Sequence, residues 1–135
     1  MQPEHKAKNN VKVSQPDHPL VNGVEEFETT DELYLMELHG ELDIFLEADY
    51  DGKAEGFVEE DWPQETWPVF YSKQVEKGQV LYLTLGHCRG HYDMHDLPEP
   101  LEYYPSVERC AWDLPVFYTL LRRGINWAKE EVFEN

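Results

Sequence analysis

Apolar residues follow a strand-like pattern in several short segments of the chain. Residues 42–48 (LDIFLEA), 68–75 (PVFYSKQV) and 79–85 (QVLYLTL) are rich in branched and aromatic side chains, which predicts strands. Residues 76–78 (EKG) lie between the last two runs and predict a tight hairpin turn made by the glycine. Residues 31–38 (DELYLMEL) form a near-continuous apolar run that fits either a buried strand or the start of a helix.

The clearest helical pattern covers residues 113–134. Asp113 is a suitable N-cap, and Pro115 is tolerated in the first turn. Gly124 lies on the apolar face, where a glycine costs helix stability, so we expect it to pack closely against a sheet. The apolar positions that recur at helical spacing are Val116, Phe117, Leu120, Leu121, Ile125 and Ala128.

Length and polarity suggest a single domain with a polar extension. The chain has 135 residues, a size typical of one domain. Residues 1–16 are polar and predict a flexible N-terminal arm, and we expect the folded domain to span residues 17–135.

Charge and cysteine content exclude several classes of protein. The formal net charge of −17 argues against nucleic acid and anionic membrane surfaces as partners, because both are bound by basic patches. No apolar run reaches the length of a membrane-spanning helix, and the N-terminus lacks the apolar core of a signal peptide. The two cysteines, Cys88 and Cys110, are too few for a disulfide framework. We therefore predict a cytoplasmic protein with reduced thiols.

The segment GHCRGHYDMHD, residues 86–96, concentrates the candidate chemistry. Its three histidines are four residues apart, so a continuous helix would present them on one face as metal ligands. The segment, however, leaves a predicted strand, contains two glycines and leads into a proline-rich stretch, which argues against a helix. His87 directly follows the strand, at the edge where open α/β sheets bind ligands. His95 and Asp96 lie further along the loop. His91 is a weaker candidate, because it is equally consistent with a side chain that only faces solvent.

Three motifs in order resemble the ThuA-like family. They are DHPLVNGVEEFETTDELY (17–34), VEKGQVLYLTLGH (75–87) and PVFYTLLRRGINWA (115–128). The resemblance implies an α/β fold, namely the flavodoxin-like, class I glutamine amidotransferase-like three-layer sandwich. Because only sixteen residues precede the first motif, we expect the N-terminal half of that fold to be lacking. No Gly-x-Cys-x-Gly or Gly-x-Ser-x-Gly nucleophile motif occurs in the chain.

The resemblance also indicates which residues to test, each with a structural alternative. It implies Glu32 and His87 as catalytic residues and Tyr34 as a substrate-binding residue. Two further substrate-binding candidates come from the loops themselves, namely His91 in the histidine-rich segment and Trp112, whose flat ring could stack on a sugar. A divalent, zinc-like metal would be held by His87, His95 and Asp96, since imidazole and carboxylate are suitable ligands. Neither a nucleotide nor a flavin is indicated. Each of these side chains is also consistent with a purely structural role in a turn or a core.

Two functions remain open at this point. The resemblance implies trehalose or keto-glycoside utilisation, with metal-assisted lyase or hydrolase chemistry on a small-molecule sugar. The alternative is a non-catalytic half-domain that acts as a homo-oligomer or as the subunit of a partner chain that supplies the missing half. A third hypothesis, a carbohydrate-binding module, is supported only by the aromatic residues in the loops. Whether the chain is an enzyme stays open.

Overall fold

The computed structural model describes residues 9–34, 36–49, 66–88 and 108–133. These ranges contain five strands and one α-helix, with a 3₁₀ turn at Cys110–Asp113 directly before the helix. In chain order the elements are β1 (Asn9–Val13), β2 (Phe27–Thr29), β3 (Asp43–Asp49), β4 (Thr66–Val75), β5 (Gly78–Leu83) and α1 (Pro115–Phe133).

The five strands form one sheet in the order β2-β1-β3-β4-β5, and every neighbouring pair is antiparallel. A flavodoxin-like sandwich would have a mostly parallel sheet between two layers of helices. Neighbouring parallel strands need a crossover of a dozen or more residues, which is usually a helix. The α-helix of the described ranges follows the last strand, so it connects no two of these strands. The mixture of helix and sheet is confirmed, whereas a parallel sheet is wrong for the described strands and the three-layer arrangement stays a prediction.

The strands predicted at 42–48, 68–75 and 79–85 correspond to β3, β4 and β5. The turn between β4 and β5 differs in one detail. Its left-handed backbone falls at Glu76, with φ of 54°, rather than at Gly78. Gly78 already pairs with β4 as the first residue of β5, so the turn has to be made by the residues before it.

Residues 9–13 form β1, at a place where the sequence predicted a flexible arm. Val11 is fully buried, and β1 lies between β2 and β3 in the sheet. The strand alternates polar and apolar residues over only five positions, so its two valines carry a weak signal in a polar N-terminal sequence.

Residues 31–38 form neither of the predicted elements, because the described residues among them are neither strand nor helix. Local side-chain bonds replace regular structure at the start of this segment. The backbone N–H of Asp31 donates to Thr29 Oγ1 at 3.1 Å, and that of Glu32 donates to Asp31 Oδ1 at 2.9 Å. Such bonds satisfy backbone groups that a sheet or a helix would otherwise pair.

One side of the sheet and helix α1 enclose the core. The fully buried members of this cluster are Val11, Leu20, Val21, Phe45, Leu46, Ala48, Val69, Phe70 and Leu120. A Cβ atom added at Gly124 would come within 3.3 Å of Leu81 Cδ2 and 3.9 Å of Phe70 Cζ, which confirms the predicted close packing of this glycine on the sheet. Within the described part of the chain, no helix is long and apolar enough to cross a membrane.

The side chain of Arg123 on helix α1 is hydrogen-bonded to the loop between β1 and β2. Arg123 Nη1 donates to the backbone oxygens of Leu20, at 3.3 Å, and Asn22, at 2.8 Å. Gly23 follows with a φ of 77°, a left-handed backbone conformation that glycine adopts readily and that allows the chain to turn here. These bonds hold the loop that contributes Leu20 to the core.

Helix α1 offers a direct test of which face is buried. Leu120 is fully buried, whereas Ile125, which the sequence placed on the same apolar face, is 60% exposed. Leu120→Ala should lower the free energy of unfolding by about 2–5 kcal/mol, since it leaves a cavity in the core. The matched variant Ile125→Ala should change it by about 0.5 kcal/mol or less, as is usual for exposed positions. Urea unfolding followed by circular dichroism measures both, and equal losses would contradict this packing.

Candidate functional site

The carboxylate of Asp31 is completely buried and serves as the acceptor for N–H groups from three chain segments. Oδ2 accepts the backbone N–H of Gly86 at 2.8 Å and that of Ala111 at 3.3 Å. Oδ1 accepts the N–H of Glu32 at 2.9 Å and that of His87 at 3.2 Å. A buried charge is tolerated where such bonds replace its water shell. Asp31 therefore joins the segment after β2, the segment after β5 and the 3₁₀ turn.

His87 follows β5 by a few residues, and Asp31 fixes the orientation of its ring. Nδ1 of His87 lies 2.5 Å from Asp31 Oδ1, while the backbone N–H of His87 contacts both oxygens of the same carboxylate. The side chain of His87 is 21% exposed, so one edge of the ring reaches the surface. Backbone and ring are thus held by a single acceptor.

The outer nitrogen of His87 faces two further polar groups. Nε2 is hydrogen-bonded to the hydroxyl of Tyr34, and Glu32 Oε2 lies 3.6 Å from it. The side chain of Glu32 is 32% exposed and Tyr34 is 39% exposed, so both lie at the surface beside the ring. From the interior to solvent, the site therefore consists of the Asp31 carboxylate, then the His87 imidazole, and then the Tyr34 hydroxyl and the Glu32 carboxylate side by side.

Gly86, directly before His87, is held in place by a hydrogen bond from Trp112. The indole Nε1 of Trp112 donates to the carbonyl of Gly86 at 2.8 Å, and the indole ring packs edge-on against Phe117, with centroids 4.8 Å apart. Gly86 has a φ of 119°, which side chains rarely permit. A Cβ atom there would also lie 3.2 Å from Phe117 Cζ. Only glycine fits this position without displacing its neighbours.

The structure brings together some of the residues that the sequence singled out. Glu32, Tyr34 and His87 form one contiguous group, although Tyr34 and His87 are 53 positions apart. Trp112 lies next to this group, but its nitrogen is engaged with the backbone of the loop. The predicted residues His91, His95 and Asp96 lie outside the described residues.

Asp31 is the functional residue that sequence reasoning missed. It opens the same Asp-Glu-Leu-Tyr motif from which Glu32 and Tyr34 were chosen. Its buried position was not visible because most of its partners are backbone N–H groups, which every sequence contains. The available signal was the pair of adjacent carboxylates in an otherwise apolar run.

The described donors do not by themselves fit a metal centre. Among the residues described, no three histidine, cysteine, aspartate or glutamate side chains form a group suited to a metal ion. Catalytic zinc sites use about three protein ligands. Here Nε2 of His87 and one oxygen of Glu32 are near each other, and Nε2 already bonds to Tyr34. A metal held with His95 and Asp96 stays a prediction.

A surface cavity of about 180 Å³ lies beside the end of β2 and the 3₁₀ turn. Its lining residues are Glu28, Thr29, Thr30, Cys110 and Leu114. Neither His87 nor Tyr34 lines it, so the chemistry of the site does not open into this cavity.

The backbone of Gly86 can be tested against a second glycine with a positive φ. Both Gly86→Ala and Gly23→Ala force a side chain into an unfavourable backbone conformation, and both reduce the entropy of the unfolded chain equally. Gly23 has open space around it, so its substitution should cost about 1–2 kcal/mol. Gly86→Ala should cost about 1–3 kcal/mol more, because the new methyl group presses on Phe117.

Urea unfolding of the two alanine variants gives this difference directly. A smaller loss for Gly86→Ala than for Gly23→Ala would contradict the close approach of Gly86 to Phe117.

Comparison with known proteins identifies the family but gives no individual relative. A family comparison matches residues 1–101 to ThuA, described as trehalose utilisation. The match contains the motifs at 17–34 and 75–87, together with β1 and the residues around Asp31 and His87, while the motif at 115–128 lies beyond it. No curated protein and no solved structure matches the chain. Because the matched residues cover well over half of the sequence, the chain belongs to the ThuA family.

Proposed function

We propose that this chain is an enzyme of carbohydrate utilisation that moves a proton on an oxidised sugar, with His87 as the proton acceptor. The observation that carries the proposal is the position of His87 between the buried carboxylate of Asp31 and the surface groups of Tyr34 and Glu32. A histidine held in this way is a common general base. Membership of a family described by trehalose utilisation supports a sugar as the substrate.

The surroundings of His87 favour proton transfer at its outer nitrogen. The Asp31 carboxylate accepts a hydrogen bond from the N–H at Nδ1, which places the lone pair of the neutral ring on Nε2. When Nε2 takes up a proton, the positive ring lies between two carboxylates, those of Asp31 and Glu32. The site therefore suits a reaction that needs a base and, later, an acid.

A keto-glycoside provides the matching chemistry. The C–H bond beside its keto group is acidic because the carbanion is delocalised onto the carbonyl oxygen as an enolate. After the base removes this proton, the electron pair forms a carbon–carbon double bond and expels the glycosidic oxygen from the next carbon. The same proton, or one from solvent, is then delivered to the departing oxygen. No oxidant or reductant is consumed in this elimination.

The charge of the chain favours an uncharged sugar. The net charge is −17, and two carboxylates belong to the site itself. A phosphorylated or acidic sugar would be repelled by this field. We therefore propose a neutral keto-glycoside, such as the 3-keto derivative of trehalose.

Proton exchange tests the proposal without requiring the complete reaction. Methyl 3-keto-glucoside is incubated with the protein in D₂O, and loss of the proton signals beside the keto group is followed by NMR. His87→Gln should slow the catalysed exchange by about 10²–10⁴-fold, the usual contribution of a general base. His39→Gln is the matched control, because the His39 side chain is 73% exposed and its Nε2 lies 3.2 Å from the exposed carboxylate of Glu37, so this variant should exchange at the wild-type rate.

The exchange experiment has a clear contrary result. A wild-type protein that leaves the exchange at its uncatalysed rate, or a His87→Gln variant as active as wild type, would overturn the proposed function.

A second candidate is a non-catalytic homo-oligomer, and one observation favours it. Strand β5 lies at the end of the sheet and pairs, among the described strands, with β4 alone. The surface of this hairpin exposes Val75, Val80 and Tyr82, and edge strands with apolar side chains tend to pair with another chain. Native mass spectrometry distinguishes the candidates. A monomer that catalyses the exchange contradicts the second, and an inert obligate dimer favours it.

A further inference from the structure

We propose that Tyr34 is the catalytic residue that meets the sugar, and that Tyr34, His87 and Asp31 form one proton relay. This inference rests on the proposed proton transfer and assigns the atom that performs it. Tyr34 entered as a substrate-binding residue, and Asp31 was not singled out at all. The geometry gives each of them a different role.

The direction of the hydrogen bonds follows from Asp31. Both of its oxygens accept N–H groups, so this carboxylate acts only as an acceptor. Nδ1 of His87 must therefore donate to it, and the neutral ring carries its lone pair on Nε2. The hydroxyl of Tyr34 is consequently the donor in its bond to Nε2. Tyr34 therefore donates a hydrogen bond to His87, and His87 donates one to Asp31.

The Tyr34 oxygen occupies the place from which a substrate would approach His87. The lone pair of Nε2 points outward in the plane of the ring, and the hydroxyl lies at that position. Tyr34 is also the more exposed of the two residues, at 39% against 21% for the His87 side chain. Its ring stands nearly perpendicular to the imidazole, at 80°, with the ring centroids 4.8 Å apart. A sugar at this surface meets the oxygen of Tyr34 before the nitrogen of His87.

The relay then works as a hydroxyl activated by an imidazole and a carboxylate. The Tyr34 oxygen takes the proton from the sugar carbon while its own proton passes to Nε2 of His87. The electron pair of the C–H bond becomes the enolate, and the positive charge stays on the imidazolium beside Asp31. In the second half, Tyr34 gives its proton to the departing glycosidic oxygen and recovers one from Nε2. In sum, one proton has moved from the sugar carbon to the departing oxygen, while Tyr34 and His87 have regained their starting protonation states.

The two adjacent carboxylates consequently differ in role. Asp31 is a positioning residue, because its carboxylate is buried away from the surface and accepts Nδ1 of His87 together with backbone N–H groups. Glu32 lies 3.6 Å from Nε2, too far for a strong hydrogen bond but near enough to stabilise the imidazolium electrostatically.

Kinetic variants separate a relay from simple substrate binding. In the exchange assay, Tyr34→Phe removes one oxygen and should lower kcat by about 10²–10⁴-fold with little change in KM. The double variant Tyr34→Phe/His87→Gln should be no slower than either single variant, since both belong to one unit. Tyr82→Phe is the matched control, because Tyr82 is also 39% exposed, and it should retain wild-type kinetics. An increase in KM at unchanged kcat for Tyr34→Phe would overturn the relay.

A measurement without substrate tests the direction of the bonds. Nitrogen-15 NMR of the His87 ring should report the tautomer with its proton on Nδ1, and Tyr34→Phe should shift the Nε2 resonance by removing its donor. Asp31→Asn should lower kcat and disturb the tautomer. If that variant does not fold, the wild-type spectrum still decides, because a proton on Nε2 would overturn the relay.

The outcomes distinguish this inference from the proposed function. If Tyr34→Phe exchanges at the wild-type rate and His87→Gln does not, the relay is wrong and His87 acts directly on the sugar. If both variants exchange as wild type, the proposed function fails as well.

Discussion

The rest of the site depends on one buried carboxylate. Asp31 is completely shielded from solvent and accepts five N–H groups, of which four belong to the backbone and one to the ring of His87. Removing an ionised carboxylate from water is costly, and hydrogen bonds to a charged group recover about 1.5–3 kcal/mol each. These bonds exist only when the segments after β2 and β5 and the 3₁₀ turn are all in place. The folding of this region and the orientation of the His87 imidazole therefore depend on the same set of hydrogen bonds.

Two carboxylates that are adjacent in the chain have different surroundings. The carboxylate of Asp31 is turned into the interior, whereas Glu32 and Tyr34 reach the surface around His87. The glycine before His87 lets the loop come close to Phe117, and the indole of Trp112 holds its carbonyl. Side chains of helix α1 and the 3₁₀ turn thus support a site that the sheet alone would leave open.

The sequence was most informative where the signal was local. Short apolar runs predicted β3, β4 and β5, and the apolar spacing predicted α1. Gly124 was expected to pack closely on the sheet because a glycine there otherwise costs helix stability, and the structure confirms this packing. His87 was predicted from its place after a strand. Strand β1 was missed because five residues with two valines carry little pattern, and the parallel sheet came from the resemblance instead of from the residues. Asp31 was missed because its partners are backbone groups 55 and 80 positions away.

Long-range backbone partners of this kind also limit what a motif can reveal about chemistry. A motif such as Asp-Glu-Leu-Tyr presents three polar side chains but not their directions, and the two carboxylates are equivalent in the sequence. Burial removes that equivalence, because only the residue that meets the N–H groups of other segments can lose its water at a tolerable cost. The carboxylate of Glu32 and the hydroxyl of Tyr34 then remain at the surface, beside Nε2 of the His87 imidazole. The difference between the buried Asp31 and the surface residues Glu32 and Tyr34 thus follows from solvation, and it is the basis of the different roles that we propose for them.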